Sequence, residues 1–311
     1  MSSSHLSASV DIGTNSVLLL VAETDGNTIR IQDEKQAVPR LGKGVDKSKN
    51  LDQESINRVL SVLNSYKTYL KKNYPEIQNQ VTVTATSAVR DAANRADFMK
   101  LVKEETGWSV TLLSGDDEAQ YTYRGAVAVL PPTGRTRCVL DIGGGSTEIA
   151  FGKGSGLISY FSLDIGSVRF TERYLMSDPP QIEELNQAAN AVREALGHVS
   201  MPSIQDRPEA VGVAGTVTSI ASINAGHTLY RPKELNNSRL DIETIRKFRD
   251  EFSSQTSKQT EHVYPEFMEN RGDVIVGGLI ILEEFLRWQH LDSITVSTGG
   301  IRHGALLFGG K

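Results

Sequence analysis

Of the 311 residues in the chain, one is cysteine, Cys138. A single thiol makes no internal disulfide, so the fold must hold by packing, which suits a reducing compartment. Long hydrophobic runs are missing as well. No apolar stretch approaches the roughly 20 residues of a membrane span. The opening "MSSSHLSAS" has no basic segment followed by an apolar one, so it does not read as a secretory signal. Nor is there an excess of positive charge: 33 Lys and Arg against 38 Asp and Glu leave a net −5, which argues against bulk attraction to nucleic acid. G-x-x-x-x-G-K-S/T does not occur, which excludes a P-loop NTPase, and G-x-G-x-x-G does not follow the first strand, so a dinucleotide fold is not indicated. The six histidines show no metal-ligand spacing. These absences point to a cytoplasmic protein with neither a membrane nor a nucleic-acid partner.

What is present is the pattern of an ordinary globular protein, 39% hydrophobic and 23% charged, long enough for two domains. Strands at Ser9–Ile12, Val17–Ala22 and "IRIQ", with hairpin chemistry in Asp25–Thr28, read as a meander. Ile56, Val59, Leu63, Tyr66 and Leu70 then share one helical face, with Asp52 as N-cap. "VTVTAT" and "WSVTLL" read as strands on either side of a helix capped by Asn94 and stopped by Gly107. A helix over 116–130 ends at Pro131-Pro132. The second half repeats the plan: strands at 137–142, 148–151 and 157–163, helices at 167–175 and 180–197, and a strand at 210–214 leading into Gly215 and a helix over 216–224. A helix over 274–289, a strand at 293–297 and a helix from Ile301 close the chain. The glycine turns stand at matching places, after the first strand of each half, as in two similar α/β domains.

Those turns carry the chemistry. In "VLDIGGGSTEIAFG", Gly143, Gly144 and Gly145 let backbone N–H groups approach an anion, and Ser146 and Thr147 add hydroxyl donors. Asp141 and Glu148 at the two ends would repel phosphate unless a divalent cation such as Mg²⁺ lies between. The other reading is a glycine-rich hairpin with solvated acids. The earlier turn Asp11-Ile12-Gly13-Thr14-Asn15-Ser16 repeats the kit and weakens that reading. Cys138 lies among apolar strand residues and reads as packing.

"VDIGTNSVLLLVA", "ATSAVRDAANRADF", "SGDDEAQYTYRGAV", "VLDIGGGSTEIAFG", "SLDIGSVRFTERY", "GVAGTVTSIASI" and "STGGIRHGALL" follow one another in an order that resembles the exopolyphosphatase / guanosine pentaphosphate phosphatase family. This family belongs to the sugar kinase–Hsp70–actin superfamily. The resemblance implies two actin-like, ribonuclease H-like α/β domains, each a mixed β-sheet flanked by helices, with a cleft between. The first would span 1–125, joined by the C-terminal helix 301–311, and the second 126–300. It implies Mg²⁺-dependent hydrolysis of a terminal phosphoanhydride in polyphosphate, guanosine pentaphosphate or both, and a homodimer. Glu118 falls on the glutamate held to activate water, Asp141 and Glu148 on the metal- and water-linked acids, with Asp11 as a further metal-side acid. Arg90 falls on the phosphate-contacting arginine, Gly13 to Ser16 on the first phosphate loop, and Gly215 and Thr216 on the superfamily's nucleotide-side loop. The bland alternatives are an ion pair of Arg90 with Asp91 or Asp97, and a tight strand-to-helix turn at Gly215. Arg40, Lys43, Arg169 and Arg302 are candidates for contacts further along a phosphate chain or for ordinary solvated positions.

The chain departs from the family at Asp117, where glutamate is common, at Gln120, where arginine is common, and at His303, where glutamate is common. The C-terminal helical extension of longer members is not matched. Two competing functions are a superfamily kinase and an actin- or chaperone-like nucleotide-binding switch. The first requires an acceptor site. The second lacks the block that carries Glu118.

Overall fold

A computed structural model describes residues 4–26, 28–78, 80–204 and 207–308. The chain divides into two compact units, one running to Ala128 and resuming at Gly299, the other spanning Val129–Thr298.

The first unit opens with the strands β1 (His5–Ile12), β2 (Val17–Asp25) and β3 (Thr28–Ala37). The expected turn between β2 and β3 includes Asn27, which lies outside the described residues. Then come helices α1 (Val45–Ser48) and α2 (Gln53–Asn73), strand β4 (Val81–Ala85), helices α3 (Ser87–Asp91) and α4 (Arg95–Thr106), strand β5 (Val110–Leu112) and helix α5 (Gly115–Ala128). The sheet order is β3-β2-β1-β4-β5, antiparallel through the meander and parallel from β1 to β5. Alternation along β1 sends Ala8, Val10 and Ile12 to one face, where they pack with Val59, Leu63 and Leu70 of α2 and Phe98 and Val102 of α4. Each fully buried Leu or Phe there contributes about 2 kcal/mol. Asp52 caps α2 by accepting from the Ser55 amide at 2.9 Å. Asn94 does not cap α4: its side chain is committed to the backbone of Leu51, accepting from the amide and donating to the carbonyl, both at 2.9 Å.

The second unit repeats the meander in β6 (Thr136–Ile142), β7 (Thr147–Lys153) and β8 (Gly156–Leu163), followed by α6 (Ser167–Tyr174), α7 (Ile182–Gly197), β9 (Glu209–Val213) and α8 (Ala214–Asn224). It continues with α9 (Pro232–Leu235), β10 (Arg239–Asp241), α10 (Ile242–Ser253), α11 (Ser257–Val263), α12 (Pro265–Met268), α13 (Ile275–Trp288) and β11 (Ser293–Val296). The order β10-β11-β9-β6-β7-β8 is the first sheet's order with one antiparallel strand added at the far edge. Leu140, Ile142, Ile149 and Phe151 form the core with α7, α8, α10 and α13. Residues 225–273, where no element is expected, form five: α9, β10, α10, α11 and α12.

Helix α14 (Ile301–Phe308) returns to the first unit, and the expected residues 309–311 lie outside the described ones. Leu306 covers Leu20 and Ala22 on the face of the β1–β2 sheet opposite α2. α14 meets α5 through glycine: a Cβ on Gly125 would stand 2.0 Å from the Gly300 carbonyl oxygen, and one on Gly304 2.1 Å from that of Tyr121. Among the described residues no helix is long and apolar enough to cross a membrane.

Candidate active site

In the second unit the glycine turn joins β6 to β7, closed by the Gly143 amide on the Ser146 carbonyl at 3.0 Å. Asp141 and Glu148 are register partners across the hairpin and therefore share a sheet face, away from the core. Both are buried, at 7% and 1% exposure. Two carboxylates set opposite each other and shielded from water repel, and such an arrangement suits a cation. The Ser162 hydroxyl donates to Glu148 Oε1 at 2.7 Å.

The carbonyls of the turn are taken up by α6. Gly143 accepts from the Ser167 amide at 2.9 Å, Gly144 from the amides of Val168 and Arg169 at 2.9 and 3.0 Å, and Gly145 from Arg169 Nε at 2.6 Å. This explains why α6 has no side-chain cap: the turn satisfies its orphan N–H groups. A trans peptide aims its N–H opposite its C=O. With three successive carbonyls held by α6, the amides of Gly144, Gly145 and Ser146 point the other way, as an anion nest requires. Gly166 permits the approach, since a Cβ there would lie 2.5 Å from the Gly144 oxygen. Thr147 has no exposed surface, and its single hydroxyl proton is spent on the Ile165 carbonyl at 2.5 Å.

The first unit builds the same turn between β1 and β2, closed by the Gly13 amide on Ser16 O at 2.9 Å. Here the brace is the segment after β3: the Gly42 amide donates to Thr14 O at 2.8 Å and that of Arg40 to Asn15 O at 3.0 Å. Arg40 adopts a left-handed φ of 59° to do so, and Lys43, three residues on, is exposed. The amides of Asn15 and Ser16 are thereby aimed away from the brace. Asp11, at 8% exposure, has Leu18 as its β2 partner and Thr84 as its β4 partner, and the Thr84 hydroxyl donates to its Oδ1 at 3.2 Å.

Glu118 lies in the first turn of α5 and is 4% exposed. Ser114 and Asp117 form a reciprocal cap before it. The Asp117 amide donates to Ser114 Oγ at 3.1 Å, and the Ser114 hydroxyl donates to Asp117 Oδ2 at 2.7 Å. The residue facing Glu118 is Arg90, whose Nη1 donates to Oε2 at 2.9 Å and to the Leu113 carbonyl at 3.1 Å. The structure thus joins the expected base to the expected phosphate contact through an ion pair between Glu118 and Arg90.

Residues 20–308 match the Ppx/GppA phosphatase family. The chain belongs to that family. It is 34% identical over 318 residues to the Mycobacterium tuberculosis protein named exopolyphosphatase 2, covering 96% of this chain and 97% of that one. Among solved structures it is similar to the Aquifex aeolicus Ppx/GppA family member, with TM-score 0.80, 31% identity and coverage of 98% and 97%. An exopolyphosphatase-like protein gives TM-score 0.89 at 28% identity, with coverage of 98% and 97%. Family membership makes the chain a phosphoanhydride hydrolase, and the kinase and switch readings fall away.

Other residues find their places within this phosphatase fold. Gly215, at the start of α8, leaves room for a guanidinium: a Cβ there would stand 1.9 Å from Arg271 Nη1. The residue before it, Ala214, takes a left-handed φ of 64°. Burial pulls Arg271 down to about 10, so it stays charged at neutral pH. No local pattern marks Arg271, because its neighbour Gly215 comes from a distant part of the chain. Thr216 is buried against α13, where a Cβ on Gly278 would fall 2.3 Å from its Oγ1. Arg302 ties α14 to the first sheet, ion-paired with Glu34 at 2.7 Å and donating to Leu19 O at 3.2 Å. His303 is fully buried, and burial with the neighbouring Arg302 charge holds it neutral, well below the usual imidazole range. Cys138 is buried, and burial pushes its thiol up. Among the described residues no group of three or more His, Cys, Asp or Glu forms a metal cage.

Proposed function

We propose that this chain releases the terminal phosphate of inorganic polyphosphate, of guanosine pentaphosphate, or of both, carrying over to it the activity named for its relative. The observation that supports this most directly is the Asp141–Glu148 carboxylate pair beside an amide nest whose carbonyls are anchored. The two hairpins supply amides and the hydroxyls of Thr14, Ser16 and Ser146, and the Asn15 amide, to phosphate oxygens. Asp141 and Glu148 are the acids to hold Mg²⁺, which commonly takes one or two carboxylates and completes its shell with phosphate and water. That ion, when bound, offsets the charge of the substrate and of the leaving phosphate.

Glu118 accepts a proton from the attacking water as the water oxygen bonds to the terminal phosphorus. The bridging P–O bond breaks, and its electron pair leaves with the shortened chain. Arg90 holds the Glu118 carboxylate in place through their ion pair. A cytoplasmic location and a homodimer complete the reading.

The test compares orthophosphate release from tripolyphosphate, long-chain polyphosphate, guanosine pentaphosphate and ATP with Mg²⁺ present. Glu118→Gln is expected to lose about 10³-fold in kcat with KM little changed, and excess EDTA to stop release. Near-normal turnover of the variant removes Glu118 from the base role, and full activity in EDTA removes the cation.

A further inference from the structure

We infer that Ser162 is a positioning residue, fixing the carboxylate of Glu148 for the reaction. The inference rests on the reading of Glu148 given above. Ser162 stands on β8, directly opposite Glu148 in register, and its hydroxyl donates to Oε1 at 2.7 Å. Glu148 itself is 1% exposed. Asp141, Glu148 and Ser162 form one cross-strand row over β6, β7 and β8 on a single face. The hydroxyl therefore approaches Glu148 from the side opposite Asp141.

That serine is in the row because of a bulge. From the β7–β8 turn, Lys153 pairs with Gly156 and Gly152 with Leu157. Continued without interruption, this register would set Glu148 opposite Phe161. The pairing instead shifts by one residue between Gly152 and Phe151, which passes over Ile158 and brings Ser162 to Glu148. A one-residue slip exchanges the two faces of a strand, so the bulge replaces a core aromatic by a hydroxyl at this place. Phe161 and Leu163 accordingly pack against the core on the other face.

A hydroxyl donating to a carboxylate fixes its rotamer, as the outer partners of metal-side carboxylates do. Ser162→Ala removes the donor at an exposed position without opening a cavity in the core. On tripolyphosphate with Mg²⁺ the alanine variant is expected to lose about tenfold in kcat, with KM within about twofold. Its Mg²⁺-activation profile moves to higher concentration by about tenfold. Ser162→Thr, which keeps the hydroxyl, restores both, and the thermal midpoints of all three proteins coincide. Wild-type kcat and profile for Ser162→Ala, alongside an inactive Glu148→Gln, overturn the inference and leave the reading of Glu148 standing. An active Glu148→Gln overturns that reading and the inference with it. Equal losses in Ser162→Ala and Ser162→Thr with a lowered midpoint show a structural role and also overturn it.

Discussion

The hairpin at Asp11 and the hairpin at Asp141 are one device built twice and finished differently. Both place an acid at the end of the first strand, and both close the turn from a glycine amide to a serine carbonyl, at 2.9 and 3.0 Å. Both carry a register shift three residues beyond the partner of that acid, at Val21/Ala22 and at Phe151/Gly152. The cross-strand rows diverge. In the first unit the row reads Gln36, Leu18, Asp11, Thr84; in the second it reads Ser162, Glu148, Asp141, Val213. Asp11 is neighboured by a leucine and by a hydroxyl that donates to it, whereas Asp141 faces a second carboxylate and a valine. The two turns share a backbone, but of these two rows only the second sets two carboxylates opposite each other, the arrangement that the proposed cation requires.

The largest effect should separate the two acids. Asp141→Asn is expected to lose about 10³-fold in phosphate release and to require far more Mg²⁺ for half-activation. Asp11→Asn keeps its Thr84 contact and is expected to lose about tenfold. Phosphate release measured over a Mg²⁺ titration gives both values. Equal losses, or a larger one at Asp11, would break the assignment of the cation to the second hairpin.

A smaller effect distinguishes the braces. In the second unit a Cβ on Gly166 meets backbone, 2.5 Å from Gly144 O, so relief requires moving the turn itself. In the first, a Cβ on Gly42 meets a side-chain methyl, Thr14 Cγ2, at 2.2 Å. Gly166→Ala should therefore cost about 2 kcal/mol or more, read as a lowered thermal midpoint and reduced activity. Gly42→Ala should cost less, and adding Thr14→Ser, which removes the methyl and keeps the hydroxyl, should recover most of the loss. Without recovery in the double variant, the first brace is as rigid as the second.

Much of this comparison was readable before any coordinates, because it is local. A strand-end acid, a glycine turn and alternating apolar residues are written in consecutive positions, and the repeat doubles the signal. Asp52 capped its helix as expected for the same reason. What could not be read depends on distant pairing. Arg90 meets Glu118 only when β4 and β5 lie side by side and α3 and α5 follow them. Asn94 looked like a cap but was drawn to Leu51, since a tertiary contact can outbid a local one. Ser162 reaches Glu148 through a bulge, and counting back from the "GKGSG" turn without it arrives at Phe161. Between 225 and 273 the helices α9, α11 and α12 are four to seven residues long, too short to show a period. In α10, by contrast, Ile245, Phe248 and Phe252 do mark a buried face.

The smallest expected effect concerns a feature the units share, and it sharpens the comparison by serving as its control. Asp52 caps α2 in the first unit and Asp241 caps α10 in the second, accepting from the amides of Ser55 at 2.9 Å and Thr244 at 2.7 Å. Both carboxyls lie below their ordinary value. At Asp52 partial burial works the other way but is outweighed by the hydrogen bonds from Ser55 and the charge of Arg58. At Asp241 the Thr244 amide leads, followed by its hydroxyl. A carboxyl depressed in the folded state binds its proton more readily when unfolded, so its contribution is complete above the ordinary value near 4 and fades as pH falls through the lowered one. Replacing either residue by Ala should cost about 1 kcal/mol at neutral pH. Replacing either by Asn keeps the acceptor and removes the charge, so the loss on acidification below about pH 4 should flatten by a similar amount in both variants. Thermal midpoints between pH 3 and 7 measure this. Phosphate release at neutral pH should stay unchanged in both, since neither cap belongs to the rows that differ; a loss of activity at Asp52 or Asp241 would mean that the two units differ in more than their hairpins.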